Sequence, residues 1–310
     1  MPRPAQPHPC RRACCAALLS SLLGCASAPV PPAFSGRAVT VYAAGDIADC
    51  RYRRPEVSGA AATAAIVEAG LAAHPDGWAL TLGDHTYPVG LPAEFSECYQ
   101  PTWGRFKERT LPAPGNHEYY TRGAPGYYAY FGARSAPEHG GYYSVQLGKW
   151  HVISLNSTLR GAAFDAQLAW LKDDLARHRT LCSLAFWHHP RYSSGGYAGN
   201  AYMAPVWQAL AAGGVDIALS GHDHDYERFA PQDANGARDD AHGVRQFVVG
   251  TGGAQLTPLR FATANSEVKD NSSLGVLRLE LFDTGYTWEF LGVDTSASPP
   301  FSDRGAASCH

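Results

Sequence analysis

Lysine is scarce in this chain: Lys107, Lys149, Lys172 and Lys269 are the only ones in 310 residues. The formal net charge of -3 gives no basic surface for nucleic acid or an acidic membrane to grip. No CxxC pair is present, which argues against a zinc-thiolate site. Gly250-Thr251-Gly252-Gly253 has no lysine after it, so a phosphate-cradling P-loop is excluded. Ser193-Ser194-Gly195-Gly196 lacks a nucleophile-elbow pattern, and there is no internal repeat. The chain does hold apolar residues at 45% and aromatics at 11%, enough for a sizeable core in one large domain or two small ones.

The start of the chain has its own character. Arg3, Arg11 and Arg12 precede a short apolar run from Ala13 to Leu23, which ends at Gly24-Cys25. A charged start, a short apolar segment and small residues describe an export signal. The run falls well short of the about 20 residues that span a bilayer as a helix. Leu22-Leu23-Gly24-Cys25 also resembles the lipobox of bacterial lipoproteins, in which the cysteine is acylated. Residues 1–25 are therefore expected to be a signal peptide with a lipobox, or a simple secretory signal, and the protein to be exported. It would be lipid-anchored to the bacterial cell envelope or secreted. Residues 26–37, with Pro29, Pro31 and Pro32, read as a tether. Beyond Cys25, Cys50, Cys98, Cys182 and Cys309 remain, an even number with three possible disulfide pairings.

From residue 38 to 310, strand-like runs alternate with helical stretches. Strands are expected at Val39–Ala44, Trp78–Leu82, 142–147, 150–155, 183–187, 216–219, 246–249, 275–281 and 286–293. Helices are expected at Gly59–Ala73, with Ser58 as N-cap, at 166–177 and at Ala204–Ala212. Leu168, Leu171 and Leu175 recur at helical spacing, a core pattern. The alternation predicts an α/β fold with two packed mixed sheets flanked by helices.

Five short segments carry potential metal ligands, each after a strand-like run: Gly45-Asp46-Ile47-Ala48-Asp49, Gly83-Asp84-His85-Thr86-Tyr87, Gly115-Asn116-His117-Glu118, Trp187-His188-His189-Pro190 and Gly221-His222-Asp223-His224. Singly each is weak, since a strand followed by Gly-Asp is common. Ligands in open α/β sheets gather beyond the carboxyl ends of strands, so separated segments can converge there. Gly before the ligand in four of the five is expected to let the chain turn sharply.

Together, in this order, the segments resemble the calcineurin-like metallophosphoesterases from about Val39 to His224. The details are similar to the purple acid phosphatases. Ala48 stands where many relatives have a histidine, and Tyr87 closes the second motif, as though a phenolate replaced an imidazole. His222-Asp223-His224-Asp225-Tyr226-Glu227-Arg228 resembles that family's closing motif. The resemblance implies a four-layer αββα sandwich over residues 38–310 and two metal ions.

On that resemblance Asp46, Asp84, Tyr87 and His224 hold one ion, while Asp84, Asn116, His188 and His222 hold the other. Carboxylate and phenolate oxygens suit Fe(III); an amide and two imidazoles suit Zn, Mn or Fe(II). The implied reaction is hydrolysis of a small phosphate monoester by a metal-bound hydroxide, with His117 as the catalytic acid or substrate contact and Asn116 also touching substrate. The family has a further substrate-contacting histidine after the fourth motif. Arg191 to Tyr197 contains none here, so Arg191 and Tyr197 are candidate substitutes, or an exposed arginine and a packed tyrosine. His189 is set aside because the family's His-x-Pro spacing favours His188. His74, His139, His151, His178 and His242 have no partners at ligand spacing. Two other readings stand beside the monoesterase: a phosphodiesterase or nucleotidase on the same scaffold, and a non-catalytic phosphate-binding surface lipoprotein.

Overall fold

The computed structural model describes residues 1–2, 34–295 and 299–310. The export segment, Cys25 and the tether up to residue 33 lie outside the described residues. Among the described residues thirteen strands follow in order: β1 Val39–Ala44, β2 Trp78–Leu82, β3 Thr110–Ala113, β4 Tyr143–Leu147, β5 Trp150–Ser154, β6 Cys182–Phe186, β7 Ile217–Ser220, β8 Tyr226–Phe229, β9 Arg245–Val249, β10 Ser266–Asp270, β11 Gly275–Phe282, β12 Gly285–Gly292 and β13 Arg304–Ser308. The longer helices are Gly59–Ala73, Ala162–Arg177 and Ala204–Ala212.

The strands form two mixed sheets. The first has the order β13-β12-β11-β1-β2-β3, with β1, β2 and β3 parallel. The second has the order β10-β8-β9-β7-β6-β5-β4, with β5, β6, β7 and β9 parallel. Pleating explains the layers, because successive side chains on a strand face opposite ways. Trp150 and Val152 of β5, Leu184 and Phe186 of β6 and Ile217 and Leu219 of β7 enter a core shared with Val41, Leu80 and Leu82 of the first sheet. Their neighbours Ile153, Ala185 and Ala218 enter a second core with Phe164, Leu171, Val206, Trp207 and Leu210 of the two later helices. Both faces of these strands are covered, which accounts for their continuous apolar runs.

Helix Gly59–Ala73 begins where expected: Ser58 Oγ accepts from the Ala61 N–H at 3.2 Å. Its buried residues, Ala60, Thr63, Ala64, Val67 and Leu71, fall on one helical face. The second helix starts at Ala162, earlier than expected, with Leu171 fully buried and Leu168 and Leu175 packed at its margin. Most expected strands shift by a residue at one or both ends, for example from 183–187 to Cys182–Phe186.

Of the three possible cysteine pairings, the structure has Cys50–Cys98 and Cys182–Cys309. Cys182 opens β6 of the second sheet and Cys309 follows β13 of the first, so this bond ties one sheet to the other. It closes a span of 127 residues. Replacing both cysteines with serine is expected to cost about 2–4 kcal/mol, read as a lower midpoint in thermal unfolding. An unchanged midpoint would show that packing alone holds the chain end.

Candidate metal centre

Each sequence motif leaves the carboxyl end of a parallel strand: Asp46 after β1, Asp84 after β2, Asn116 after β3, His188 after β6 and His222 after β7. Asp46, Asp84 and His222 have left-handed backbones, with φ of 60°, 50° and 73°. Strain of this kind, in residues other than glycine, persists where the surroundings force it and is concentrated at functional sites. Gly83, at φ 86°, makes the sharp turn expected of it. Gly115 does something else. Its φ is -110°, and a Cβ there would collide with the Asp84 carboxylate, so the missing side chain makes room for that carboxylate.

The side chains converge on two points. At the first, Tyr87 Oη lies 3.1 Å from Asp46 Oδ1, 3.5 Å from Asp84 Oδ2 and 3.2 Å from His224 Nε2. His224 Nε2 is also 3.2 Å from Asp46 Oδ1. At the second, His188 Nε2 lies 3.0 Å from Asn116 Oδ1, 3.2 Å from Asp84 Oδ2 and 3.2 Å from His222 Nδ1. Asp84 Oδ2 belongs to both.

The far side of each ring is fixed. His188 Nδ1 donates to Leu82 O at 2.8 Å and His224 Nδ1 donates to Gln255 O at 2.7 Å. Both Nε2 atoms therefore face the cluster, as in metal-ligating histidines whose other nitrogen is held by a carbonyl. A proton on His188 Nε2 could serve only one of its three neighbours. A cation serves them all, because ligand atoms about 2.0–2.2 Å from a shared ion lie about 3 Å apart at right angles. The residues fit two cations on the grounds of donor chemistry and spacing.

The charges point the same way. Burial works against protonation of His188 and His224, yet Asp84 beside the first and Asp46 beside the second raise both to about 9. His222 is lowered to about 3 by burial and by His188. Burial, then Asp46 and Asp84, push the Tyr87 phenol well above its usual value.

The supports for this cluster include residues to which the sequence reading gave no role. Glu118, fully buried, accepts the backbone N–H groups of Asp84 at 3.0 Å, His85 at 2.7 Å and Gly115 at 2.7 Å. It thereby locks the second motif to the third. Burial opposes its ionisation, but His85 and the Gly115 N–H hold it below its ordinary pKa. Tyr120 accepts from Asn116 Nδ2 at 3.0 Å, turning the amide oxygen toward His188. The i, i+4 spacing on a helical turn was the available signal for this contact.

His117 stands beside the cluster. Its Nδ1 donates to Pro88 O at 2.6 Å, and its Nε2 is 3.8 Å from Asp84 Oδ2. The adjoining cavity, of about 190 Å³, is lined by Arg51, Asp84, Tyr87, Asn116, His117, Tyr120, Tyr197, His222 and His224. Arg191 is not among the lining residues; its guanidinium stacks 4.5 Å from the Tyr192 ring centroid. Tyr197 does line the cavity, placed by its N–H on Asp223 Oδ1 at 2.8 Å. His189 Nδ1 is taken up by Ser157 Oγ at 2.8 Å. One expectation needs correcting: His151 and His178 do meet, through Asp174, at 2.9 and 3.0 Å. Strand β5 and the end of helix Ala162–Arg177 bring together what lies far apart in sequence.

A family model described as calcineurin-like phosphoesterase matches residues 39–226, well over half of the chain. The chain belongs to the calcineurin-like phosphoesterase family. Within it, purple acid phosphatase 18 of Arabidopsis thaliana is 35% identical over 118 residues, covering 36% of this chain and 26% of that protein. Purple acid phosphatase 21 of the same plant is 28% identical over 222 residues, covering 62% and 50%. The chain thus spans between a quarter and a half of these relatives. The fold matches that of a purple acid phosphatase from yellow lupin seeds, with a TM-score of 0.65 and 20% identity over 90% of this chain and 55% of that one. It matches equally, at a TM-score of 0.65 and 13% identity, GAP50, described as the anchor in the inner membrane complex of Plasmodium; that match covers 87% of this chain and 89% of GAP50. Both likenesses concern the calcineurin-like phosphoesterase fold alone.

Proposed function

We propose that this protein is a dinuclear phosphomonoesterase similar to the purple acid phosphatases. The observation that carries the reading is that two donor sets, each complete, share one oxygen, Asp84 Oδ2. Asp46, Asp84, Tyr87 and His224 would hold one cation; Asp84, Asn116, His188 and His222 would hold the other. Two bound cations supply Lewis-acid activation of water and neutralise charge on the phosphoryl oxygens.

The chain's own groups do the rest. Asn116 keeps its oxygen turned inward through Tyr120, and His117 presents Nε2 for the proton that the leaving oxygen takes. The cavity of about 190 Å³ has room for a phosphoryl group, and the likeness to the purple acid phosphatases supports the monoester. A shared fold with an anchor protein means that the fold cannot carry the argument; the filled donor set does. Release of phosphate from an aryl monoester faster than cleavage of the matching diester, with two metals per chain, is the expected result. An inert protein with full metal content would sink the reading.

Tyr87 bears on which metal sits in the first set. Its phenol oxygen stands with the Asp46 and Asp84 carboxylates, and Fe(III) fits such hard oxygen donors. Zn, Mn or Fe(II) fits the second set. Iron-loaded protein is expected to be coloured by phenolate-to-iron charge transfer, and Tyr87→Phe to lose the band while keeping part of its iron. A colourless wild type shown to hold its iron as Fe(III) in the first set would exclude phenolate ligation.

Export is proposed on the same footing, with Cys25 acylated. Two disulfides among the described residues fit an oxidising compartment. Among the described residues, no helix is long and apolar enough to cross a membrane. Cys25→Ser should abolish lipid attachment, read by mass spectrometry of the N-terminal peptide; an unlipidated native protein would refute the anchor.

A further inference from the structure

The cavity of about 190 Å³ beside the two donor sets is smaller than the pockets of about 300–1,000 Å³ that enclose a whole organic ligand. Most of a leaving group must lie outside it. A neighbouring cleft of about 600 Å³ shares two lining residues with it, Tyr87 and Arg51. Three arginines line this second cleft: Arg51, Arg53 and Arg54. Its wall includes the Cys50–Cys98 disulfide, which pins the segment that carries them.

The arginines differ in what they have left to give. Arg51 is committed to Asp49, with Nε 2.8 Å from Oδ1 and Nη2 2.7 Å from Oδ2, and its guanidinium lies 5.9 Å from the Tyr87 ring centroid. It forms the threshold between the two spaces. Arg53 and Arg54 are exposed and, among the described residues, make no side-chain hydrogen bond or ion pair. Of the two acids in the cleft, Glu94 is engaged by Thr86, Val89 and Leu91. Glu97 is exposed and has no such partner among the described residues.

We propose that this cleft receives the leaving group and that Arg53 and Arg54 bind a second phosphate on it. The substrates selected would then be organic bisphosphates rather than simple monoesters. Two uncommitted guanidiniums, each a planar fork of donors, match the charge of about -1.5 to -2 and the three oxygens of a phosphate. The inference rests on the phosphomonoesterase reading and adds to it the chemistry of the group that departs.

The test compares alkanediol bisphosphates of increasing chain length with alkyl phosphates of the same length, by release of inorganic phosphate from the metal-loaded protein. At one chain length the bisphosphate is expected to have a KM about 10-fold lower, an advantage that fades as salt screens exposed charge. Arg53→Ala and Arg54→Ala should each lower the ratio of the two kcat/KM values about 3- to 5-fold. Glu97→Gln should raise that ratio by removing a like charge. Equal KM values at every length, or a ratio indifferent to all three substitutions, would overturn the proposal while leaving the phosphomonoesterase intact. If neither compound is hydrolysed, the phosphomonoesterase reading is what fails. Calorimetric binding of the bisphosphate, lost or retained in the double arginine variant, then decides the cleft.

Discussion

Asp84→Asn is expected to remove nearly all phosphatase activity together with at least one metal ion. One oxygen of Asp84, Oδ1, accepts the His117 N–H at 2.9 Å. The other, Oδ2, faces Tyr87 on one side and His188 on the other. An asparagine must place its NH₂ on one of these sides. Set toward His117, it opposes donor to donor; set toward the cluster, it offers hydrogens where both ions need a lone pair. Neither orientation keeps the site. The loss should exceed the about 10–100-fold that follows removal of a group that merely supports a ligand. Elemental analysis and turnover, measured on the same sample, check it. Full metal content with near-normal turnover would refute the shared-oxygen arrangement.

His117→Ala is expected to keep both metals and to lower turnover by the about 10²–10⁴-fold typical of a lost acid or base. The His117 side chain reaches Asp84 Oδ2 only at 3.8 Å and its other nitrogen is fixed on Pro88, while the backbone N–H that holds Asp84 Oδ1 survives the substitution, so the seven proposed ligands are expected to keep their positions. A proton donor has a signature that a packing residue lacks. The loss should be large for alkyl phosphates, whose leaving oxygen needs a proton, and small for aryl phosphates that leave as stable anions. A uniform loss across leaving groups, or loss of metal, would place His117 in another role.

The residues that converge in the structure were legible in the sequence because strand ends, glycines and candidate ligands sit within a few residues of one another. Elements β1 and β2 and helix Gly59–Ala73 match their expected bounds. The missed strands have physical reasons. Pro112 lies within β3, and proline argues against a strand except at an edge, which is where β3 lies. β10 and β13 are also edges, and β10 buries none of its residues fully, so it gives little apolar signal. β8 overlaps the closing motif, where Tyr226 to Arg228 read as chemistry.

The misplacement of Arg191 has a different origin. Position along a loop does not encode its path: Tyr197 is carried back to the cavity by Asp223, while Arg191 turns onto Tyr192. Arg51 escaped notice because nothing local marks a residue that matters only where two cavities meet.

Sheet membership sorts the proposed ligands by chemistry. Asp46, Asp84, Tyr87 and Asn116 follow strands of the first sheet, and His188, His222 and His224 follow strands of the second. Each proposed cation would therefore be a clasp between the two halves of the sandwich, oxygens on one side and imidazoles on the other. The Cys182–Cys309 bond joins the same halves from the opposite end of β6, six residues before His188 in the chain. With both cations bound, the two sheets would be tied covalently at one end and ionically at the other. Chelation would then remove the ionic tie alone and leave the disulfide and the shared apolar core to hold the two sheets together.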